Sequence, residues 1–221
     1  MEMAIHESGV QTFEALVLAR YQLSTQVLYH PVRRIYDHYL TEYHKALSDG
    51  CMDTPGKILK ENDVTMLARI HEDYQTKDPR RYKWAKRIIE RDHHRMIHGQ
   101  GIRSLATDVS ASQRTFEELK TTYRDLDFVL DRPEKPVRIH RIRKANLTRS
   151  EEEAFQPLDL PVISKNRQKK PMSKCSLILN TIPMDFDIAR IYLDTKNLSH
   201  QQRSDFEREA QDIWLRNGGG Q

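Results

Sequence analysis

The stretch QTFEALVLARYQLSTQVLYHPVRRIYDHYLTEYHKAL, residues 11–47, decides how the chain is built. Its apolar residues recur every three or four positions, which predicts amphipathic helices. The first helix gathers seven side chains on one broad face: Phe13, Leu16, Val17, Tyr21, Leu23, Val27 and Leu28. Pro31 either kinks this helix or opens a second one as its first residue. After Pro31 an apolar seam continues through Val32, Ile35, Tyr36, Tyr39, Leu40, Tyr43 and Leu47. We therefore expect a pair of helices at the centre of a helical core.

Arg20 falls near the middle of the first apolar face, next to Val17 and Ser24 on the helical wheel. A guanidinium cannot shed its proton, so its burial costs several kcal/mol unless an anion meets it. Periodicity alone favours a carboxylate from elsewhere in the fold. The alternative is a ligand phosphate, which suits the planar fork of arginine donors.

The composition limits the class of protein. With 221 residues the chain is long enough for one large domain or two small ones. Charged residues make up 31% and the net charge is +4, which favours polyanionic partners without requiring them. The apolar runs are too short to cross a membrane, and no signal peptide is visible. Cys51 and Cys175 lack a CxxC spacing, so we expect reduced thiols in a cytoplasmic protein.

The periodicity changes from helical to strand-like after about residue 125. Helices are predicted after Asn62, after Asp78 and from Ser110 or Ser112, and the second of these continues to Gly99. The short runs that follow are rich in β-branched residues and read as strands: DFVLD, VRIHRI, LDLPVI, CSLILN and ARIYLD. A last helix begins with a capping box at Ser199 and Gln202. The fold class predicted is mainly α with a C-terminal α+β part, divided into residues 1–104 and 105–221.

Two basic runs interrupt the predicted strands. Their candidate phosphate-binding residues are Arg138, Arg141, Arg143, Lys144, Lys165, Arg167, Lys169 and Lys170. Such runs bind triphosphate or nucleic acid by releasing counterions, or else they are only a solvated loop and an exposed strand face. Base stacking is not expected in the second run because it has no aromatic residue.

The segment ARYQLSTQVLYHPVRR resembles the run of the type ARYxMxxxVYxH in HD-superfamily deoxynucleotide triphosphohydrolases. That group contains the bacterial dGTPase-like enzymes and the animal SAM-and-HD-domain dNTPase. AKRIIERDHHRMIHG, SKCSLILNTIP and ARIYLD resemble its later helix and closing strands in the same order. The resemblance implies the C-terminal half of such a protein, with a helical HD-type half-domain followed by a small mixed sheet with helices.

The resemblance also implies roles for particular residues. Arg20 matches the arginine that reaches the substrate triphosphate, and His30 matches a histidine near a regulatory nucleotide. The tyrosine that packs on the substrate sugar is expected at Leu28, with Tyr29 one place away, and Pro31 replaces the lysine that usually follows the histidine. Tyr29 and His30 are therefore the candidate nucleotide-binding residues.

The metal ligands that define HD phosphohydrolases are missing, because the chain has no His-Asp dipeptide. The resemblance places them upstream of residue 1, so we expect no cofactor and no catalytic residue in this chain. His94 and His98 are four residues apart, which would put both on one helix face. Without a third ligand they are interpreted as a polar surface cluster.

Two functions remain open at this stage. The chain is either a non-autonomous half of a dNTP triphosphohydrolase-like protein, or a non-catalytic module for nucleotide or nucleic-acid binding and assembly. Either function implies a homo-oligomer or a complementary HD-containing half as partner, with no membrane association.

Overall fold

The computed structural model describes residues 4–47, 62–99, 106–133, 135–142 and 160–220. The α-helices follow one another along the chain as α1 (Val10–Leu23), α2 (Pro31–Leu47), α3 (Asp63–Thr76), α4 (Tyr82–Ile89), α5 (Ala106–Thr122), α6 (Met172–Cys175), α7 (Leu177–Thr181) and α8 (His200–Arg216). The strands are short: β1 (Ile5–His6), β2 (Arg95–Gly99), β3 (Phe128–Asp131), β4 (Val137–Arg138), β5 (Pro161–Ile163), β6 (Lys169–Pro171), β7 (Asp185–Phe186) and β8 (Arg190–Leu193). The predicted fold class, mainly α with a small α+β part, is confirmed.

The chain divides into two compact units. Unit 1 comprises residues 1–29, 100–109 and 132–188, and unit 2 comprises residues 30–99, 110–131 and 189–221. The domain boundary predicted between residues 104 and 105 lies outside the described residues, so that division stays a prediction. Within the described ranges, none of the helices combines the length and apolarity needed to cross a membrane.

Unit 1 packs α1 on two small sheets. One sheet has the order β1-β5-β6, with β1 parallel to β5 and β6 antiparallel to it. The other pairs β4 with β7 in antiparallel fashion. Helix α1 contributes Val10 and Val17 to the core, and Phe13 and Tyr21 pack against its border. The strands and short helices supply the remaining buried residues: Val137, Ile139, Ile142, Leu160, Val162, Met172, Leu179, Ile182, Phe186 and Ile188.

Unit 2 is built around the antiparallel sheet β2-β8-β3 and helix α2. The sheet packs on α8 through Ile191, Leu193 and Ile213. On α2, Ile35 and Tyr39 contact Val129 and Tyr192 of the sheet. Further along α2, two more side chains pack with α3 and α4 in a cluster of Tyr43, Leu47, Ile70 and Ala85. The buried seam predicted for the second helix is thus confirmed at every fourth residue from Ile35 to Leu47.

Several local signals in the sequence act as predicted. Pro31 is the first residue of α2, where its missing N–H costs no helical hydrogen bond. The Asn62 side chain accepts from the backbone N–H of Val64 and Thr65, and begins α3. Ser199 and Gln202 form the predicted capping box at the start of α8.

Two predicted elements are wrong. Residues 95–99 form strand β2, not the end of a helix, because α4 stops at Ile89 and Arg91 takes a left-handed φ of 55°. The run CSLILN is helical, not a strand, since the Ser176 side chain accepts from the N–H of Leu179 and caps α7. α5 begins at Ala106, ahead of the two serines expected to start it.

Candidate functional site

Arg20 lies on the exposed side of α1 in unit 1. Its Nη2 donates to the main-chain carbonyl of Arg138 at 3.5 Å. Across the described ranges, no carboxylate lies within ion-pair distance of its guanidinium. The expectation of a buried Arg20 is wrong, because the core takes the side of α1 that carries Val10 and Val17 and leaves Leu16 64% exposed.

A π-helical segment, Ser24–Leu28, follows α1 directly. The N–H of Tyr29 donates to the carbonyl of Ser24 at 2.9 Å, which closes the wide turn. The Tyr29 ring packs edge-on against Phe186, with the ring centroids 5.8 Å apart, so Tyr29 belongs to the border of the unit 1 core. Leu28, at the position expected for the sugar-packing tyrosine, is 38% exposed.

His30, the other candidate nucleotide-binding residue, opens unit 2 and is exposed. Its Nδ1 accepts from the backbone N–H of Val32 at 3.3 Å. The carbonyl of His30 accepts from the N–H of Arg34 at 3.0 Å, as expected for a residue that caps α2. The hydrogen bond from Val32 to Nδ1 explains why the imidazole lies at the start of the helix.

The basic residues of unit 1 lie on two strand edges. Arg138 ends β4 and is exposed, as is Arg141. Lys165 and Arg167 lie in the turn that joins β5 and β6, and Lys169 and Lys170 are on β6; all four are exposed. The N–H of Ser164 donates to the carbonyl of Gln168, and Arg167 adopts a φ of 59°, which holds this turn closed. Arg143 and Lys144 lie outside the described residues.

Beside this hairpin unit 1 has an open cleft of about 400 Å³. Lys170 and Lys174 line it together with Glu7 and Glu14. Because two carboxylates share the cleft with two ammonium groups, it carries little net charge at neutral pH. Among the described residues of unit 1, the cationic surface is therefore the hairpin turn and the Arg138 edge, not the cleft.

In unit 2, a histidine and two carboxylates meet at one edge of the sheet. His94 precedes β2, Asp127 precedes β3 and Asp194 follows β8. One ligand atom from each lies within 4.8 Å of the others, so the three could hold a metal ion. Since β8 is antiparallel to both neighbours, its carboxyl end lies beside their amino ends. Sequence reasoning missed the two aspartates because only the strand register brings them to His94.

His94 and His98 are buried, with exposed fractions of 1% and 6%. Their interpretation as a polar surface cluster is therefore wrong. His94 immediately precedes β2 and His98 lies in it. Ile97 and His98 are consecutively buried because the register shifts between Met96 and His98. Burial lowers the pKa of His98, and its interaction with Gln211 opposes that shift without cancelling it.

Basic residues of α4 neutralise the two carboxylates beside His94. Lys83 Nζ lies 3.2 Å from Asp127 Oδ2, and the Arg87 guanidinium binds the Asp194 carboxylate directly. The facing His94 imidazole, followed by Lys83, holds the pKa of Asp127 well below its usual range. Burial acts to raise the pKa of Asp194, but the hydrogen bond from Arg87 outweighs it and the pKa is lowered. Both groups are thus carboxylates at neutral pH.

Comparison with solved structures gives two neighbours of the same fold. A hypothetical protein from Aquifex aeolicus superposes with a TM-score of 0.62 at 18% identity, covering 93% of this chain and 46% of its own. A phosphohydrolase from Bacteroides thetaiotaomicron superposes with a TM-score of 0.50 at 12% identity, covering 86% of this chain and 51% of its own. The chain thus spans about half the length of each. No curated protein matches the chain at a significant level.

A family description also matches the sequence itself. The match is to the HD associated region and covers residues 1–126, more than half of the 221 residues. It includes α1 and α2, the helices that carry the resemblance to HD-superfamily enzymes. It agrees with the phosphohydrolase among the structural neighbours, and together they tie the chain to the HD superfamily. The chain belongs to the family of the HD associated region.

Proposed function

We propose that the chain is the C-terminal portion of an HD-type dNTP triphosphohydrolase-like protein, and that it supplies a phosphate-binding arginine, not the catalytic metal. The observation that carries the proposal is the exposed guanidinium of Arg20 on α1. The family match and the phosphohydrolase neighbour support the same class of protein.

Arg20 has the donors that a triphosphate needs. A guanidinium carries five N–H donors, and the hydrogen bond of Arg20 to the Arg138 carbonyl, at 3.5 Å, is long. Throughout the described part of the chain, no carboxylate neutralises it. A charge-assisted contact to a phosphate oxygen would be about twice as strong as a neutral hydrogen bond.

Catalysis requires a second segment. A metal-bound water that ionises near neutral pH attacks the phosphate in metal-dependent hydrolysis, and the sequence lacks the adjacent His-Asp pair that would hold such a metal in an HD enzyme. In this proposal, a complementary HD-containing half supplies the metal and completes the site around a dNTP, because another copy of this chain would lack the same His-Asp pair.

A denaturant melt of Arg20→Ala tests the phosphate role. Without nucleotide the variant should unfold at nearly the wild-type concentration, because no buried carboxylate loses its partner. A non-hydrolysable dNTP should stabilise the wild type and not the variant. The matched control is Arg124→Ala, which removes another exposed arginine that donates to a carbonyl, that of Thr121 at 3.4 Å. Equal dNTP stabilisation of all three proteins would show that Arg20 does not bind the nucleotide.

The second candidate is a nucleic-acid-binding module, favoured by the exposed hairpin residues Lys165, Arg167, Lys169 and Lys170. Anisotropy of labelled single-stranded DNA at several salt concentrations would detect it, with a log–log slope of about −0.7 per phosphate contacted. Exchange of Lys165 and Arg167 for serine should reduce that slope by about one to two. Saturable, salt-dependent binding together with no dNTP effect would favour this function over the first.

A further inference from the structure

The sheet edge of unit 2 places three metal-ligating groups around one point. His94 and Asp127 immediately precede the strands on either side of β8, and Asp194 immediately follows β8 itself. The N–H of Asp194 donates to the carbonyl of Asp127 at 3.0 Å, which fixes the spacing of the two carboxylates. Each of the three side chains is thus one residue away from a hydrogen-bonded strand.

His94 is positioned as a ligand would be. Its side chain is 1% exposed, and its Nδ1 lies 2.6 Å from the hydroxyl of Tyr39. That hydroxyl also accepts from the backbone N–H of His94 at 2.8 Å, so the ring is held from one side. Its Nε2 is buried and, among the described residues, has no hydrogen-bond partner. It points toward Asp127, whose Oδ2 is 3.5 Å away.

Because the Tyr39 hydroxyl accepts from the backbone N–H of His94, its own proton is directed to Nδ1, and the imidazole proton of the metal-free chain lies on Nε2, facing Asp127. A metal ion at Nε2 would displace this proton to Nδ1, and the Tyr39 oxygen would then accept from Nδ1. A metal-bound histidine commonly uses its second ring nitrogen in this way, with a neighbouring acceptor that fixes the ring orientation. Tyr39 itself is fully buried, which makes that support rigid.

The neighbouring cations leave room for a metal. Lys83 is 56% exposed and contacts the same Asp127 oxygen as His94, so it can turn into solvent when a cation replaces its charge. Arg87 binds Asp194 from α4 and also contacts Asp92 at 3.6 Å, so Arg87 has a second carboxylate. Lys196 also contacts Asp92, at 3.0 Å, so Lys83, Arg87 and Lys196 together balance the three carboxylates of Asp92, Asp127 and Asp194. A metal ion would therefore bind in exchange for the charge of Lys83.

We propose that His94, Asp127 and Asp194 bind one first-row divalent transition metal of the Zn²⁺ type. An imidazole with two carboxylates suits zinc, manganese or cobalt, whereas magnesium and calcium prefer oxygen-only sets. Bonds of about 2.0–2.2 Å in a tetrahedron need ligand separations of about 3.3 Å. The three ligand atoms, now within 4.8 Å, reach that spacing by small side-chain rotations. A fourth position stays open to water. The site is independent of the phosphate role of Arg20.

The test is a titration of the full chain with Co²⁺, which reports its coordination by visible absorption, followed by displacement with Zn²⁺. We expect one Co²⁺ per chain and a band that Zn²⁺ abolishes. Asp127→Asn should weaken binding at least about tenfold, since it removes a direct ligand. Asp125→Asn is the matched control, because it changes an exposed aspartate of the same loop that lies outside the cluster.

A second measurement does not depend on the folding of any variant. Paramagnetic Co²⁺ should shift or broaden amide resonances at His94, Asp127 and Asp194 of the wild-type chain before those around the exposed His200. Failure of the wild type to bind Co²⁺ saturably would overturn the site. So would equal affinity in Asp127→Asn, or paramagnetic effects centred elsewhere. In those cases the three residues form only a hydrogen-bonded ion-pair network.

Discussion

At the scale of single residues, some arginines form ion pairs with buried carboxylates, and others lie at the surface beside exposed carboxylates. The Nε of Arg34 donates to Asp131 Oδ1 and Oδ2 at 3.1 and 3.0 Å. Asp131 is 7% exposed, so its charge depends on this fork of donors. One helical position earlier, Arg33 contacts Asp37 at 3.6 Å with its side chain 47% exposed. The two arginines have the same chemistry. What differs is how deeply the aspartate that each one contacts is buried.

Arg34→Ala should therefore destabilise unit 2 strongly. It leaves the Asp131 carboxylate buried without this partner, which costs about 3 kcal/mol. Arg33→Ala is the control and should cost about 0–1 kcal/mol, because water replaces an exposed partner readily. Urea unfolding of the three proteins measures the difference. Similar losses in both variants would show that the Arg34–Asp131 pair contributes no more than a surface contact.

His98 should make stability depend on pH. Burial lowers its pKa in the folded chain, so below the unfolded pKa of about 6.5 the unfolded state binds more protons. Its contribution to stability is thus complete above that value and declines as the pH falls toward the folded pKa. His98→Phe keeps an aromatic ring against Trp214, 5.2 Å away, but cannot titrate.

The measurement for His98 is the free energy of unfolding between about pH 7 and pH 5, taken for wild type and His98→Phe. The wild type should lose more stability over this range than the variant. An NMR titration of the His98 ring in the folded protein measures its folded-state pKa directly. Parallel curves for the two proteins would mean that protonation of His98 does not oppose folding.

At the scale of elements, the strength of the periodicity decided what could be predicted. Helix α2 was predictable because its apolar residues form one narrow seam and Pro31 marks its start. Helix α1 carries apolar residues on most of its circumference, so the sequence could not show which side the core would take. The core took Val10 and Val17, and Leu16 and Val27 remained outside, 64% and 52% exposed.

The errors at β2 and CSLILN have local causes that composition hides. The left-handed φ of Arg91 ends the helical region, although arginine rarely adopts that conformation. In CSLILN, the Asn180 side chain donates to the carbonyls of Ser173 and Ser176, which stabilises helical turns within an apolar run. The candidate metal cluster was equally hidden, because it depends on long-range register between strands.

At the scale of the whole chain, α1 and the π-helical segment that follows it leave large apolar side chains exposed among the described residues. Leu16, Leu23 and Val27 follow one another at helical spacing and are 64%, 49% and 52% exposed. Contiguous apolar surface of this kind marks a partner interface or an aggregation site. This agrees with the proposal that another segment completes the protein.

We therefore predict that the purified chain self-associates through this face of α1 and the π-helical segment, or requires a partner to stay soluble. Combined exchange of Leu16, Leu23 and Val27 for lysine should shift light scattering toward the monomer and reduce binding of a hydrophobic dye, because charge opposes burial of that face. Leu177→Lys is the control: it removes a single leucine, 86% exposed, on α7. A wild-type chain that is already monomeric and binds no dye would show that the exposed face of α1 is not an interface.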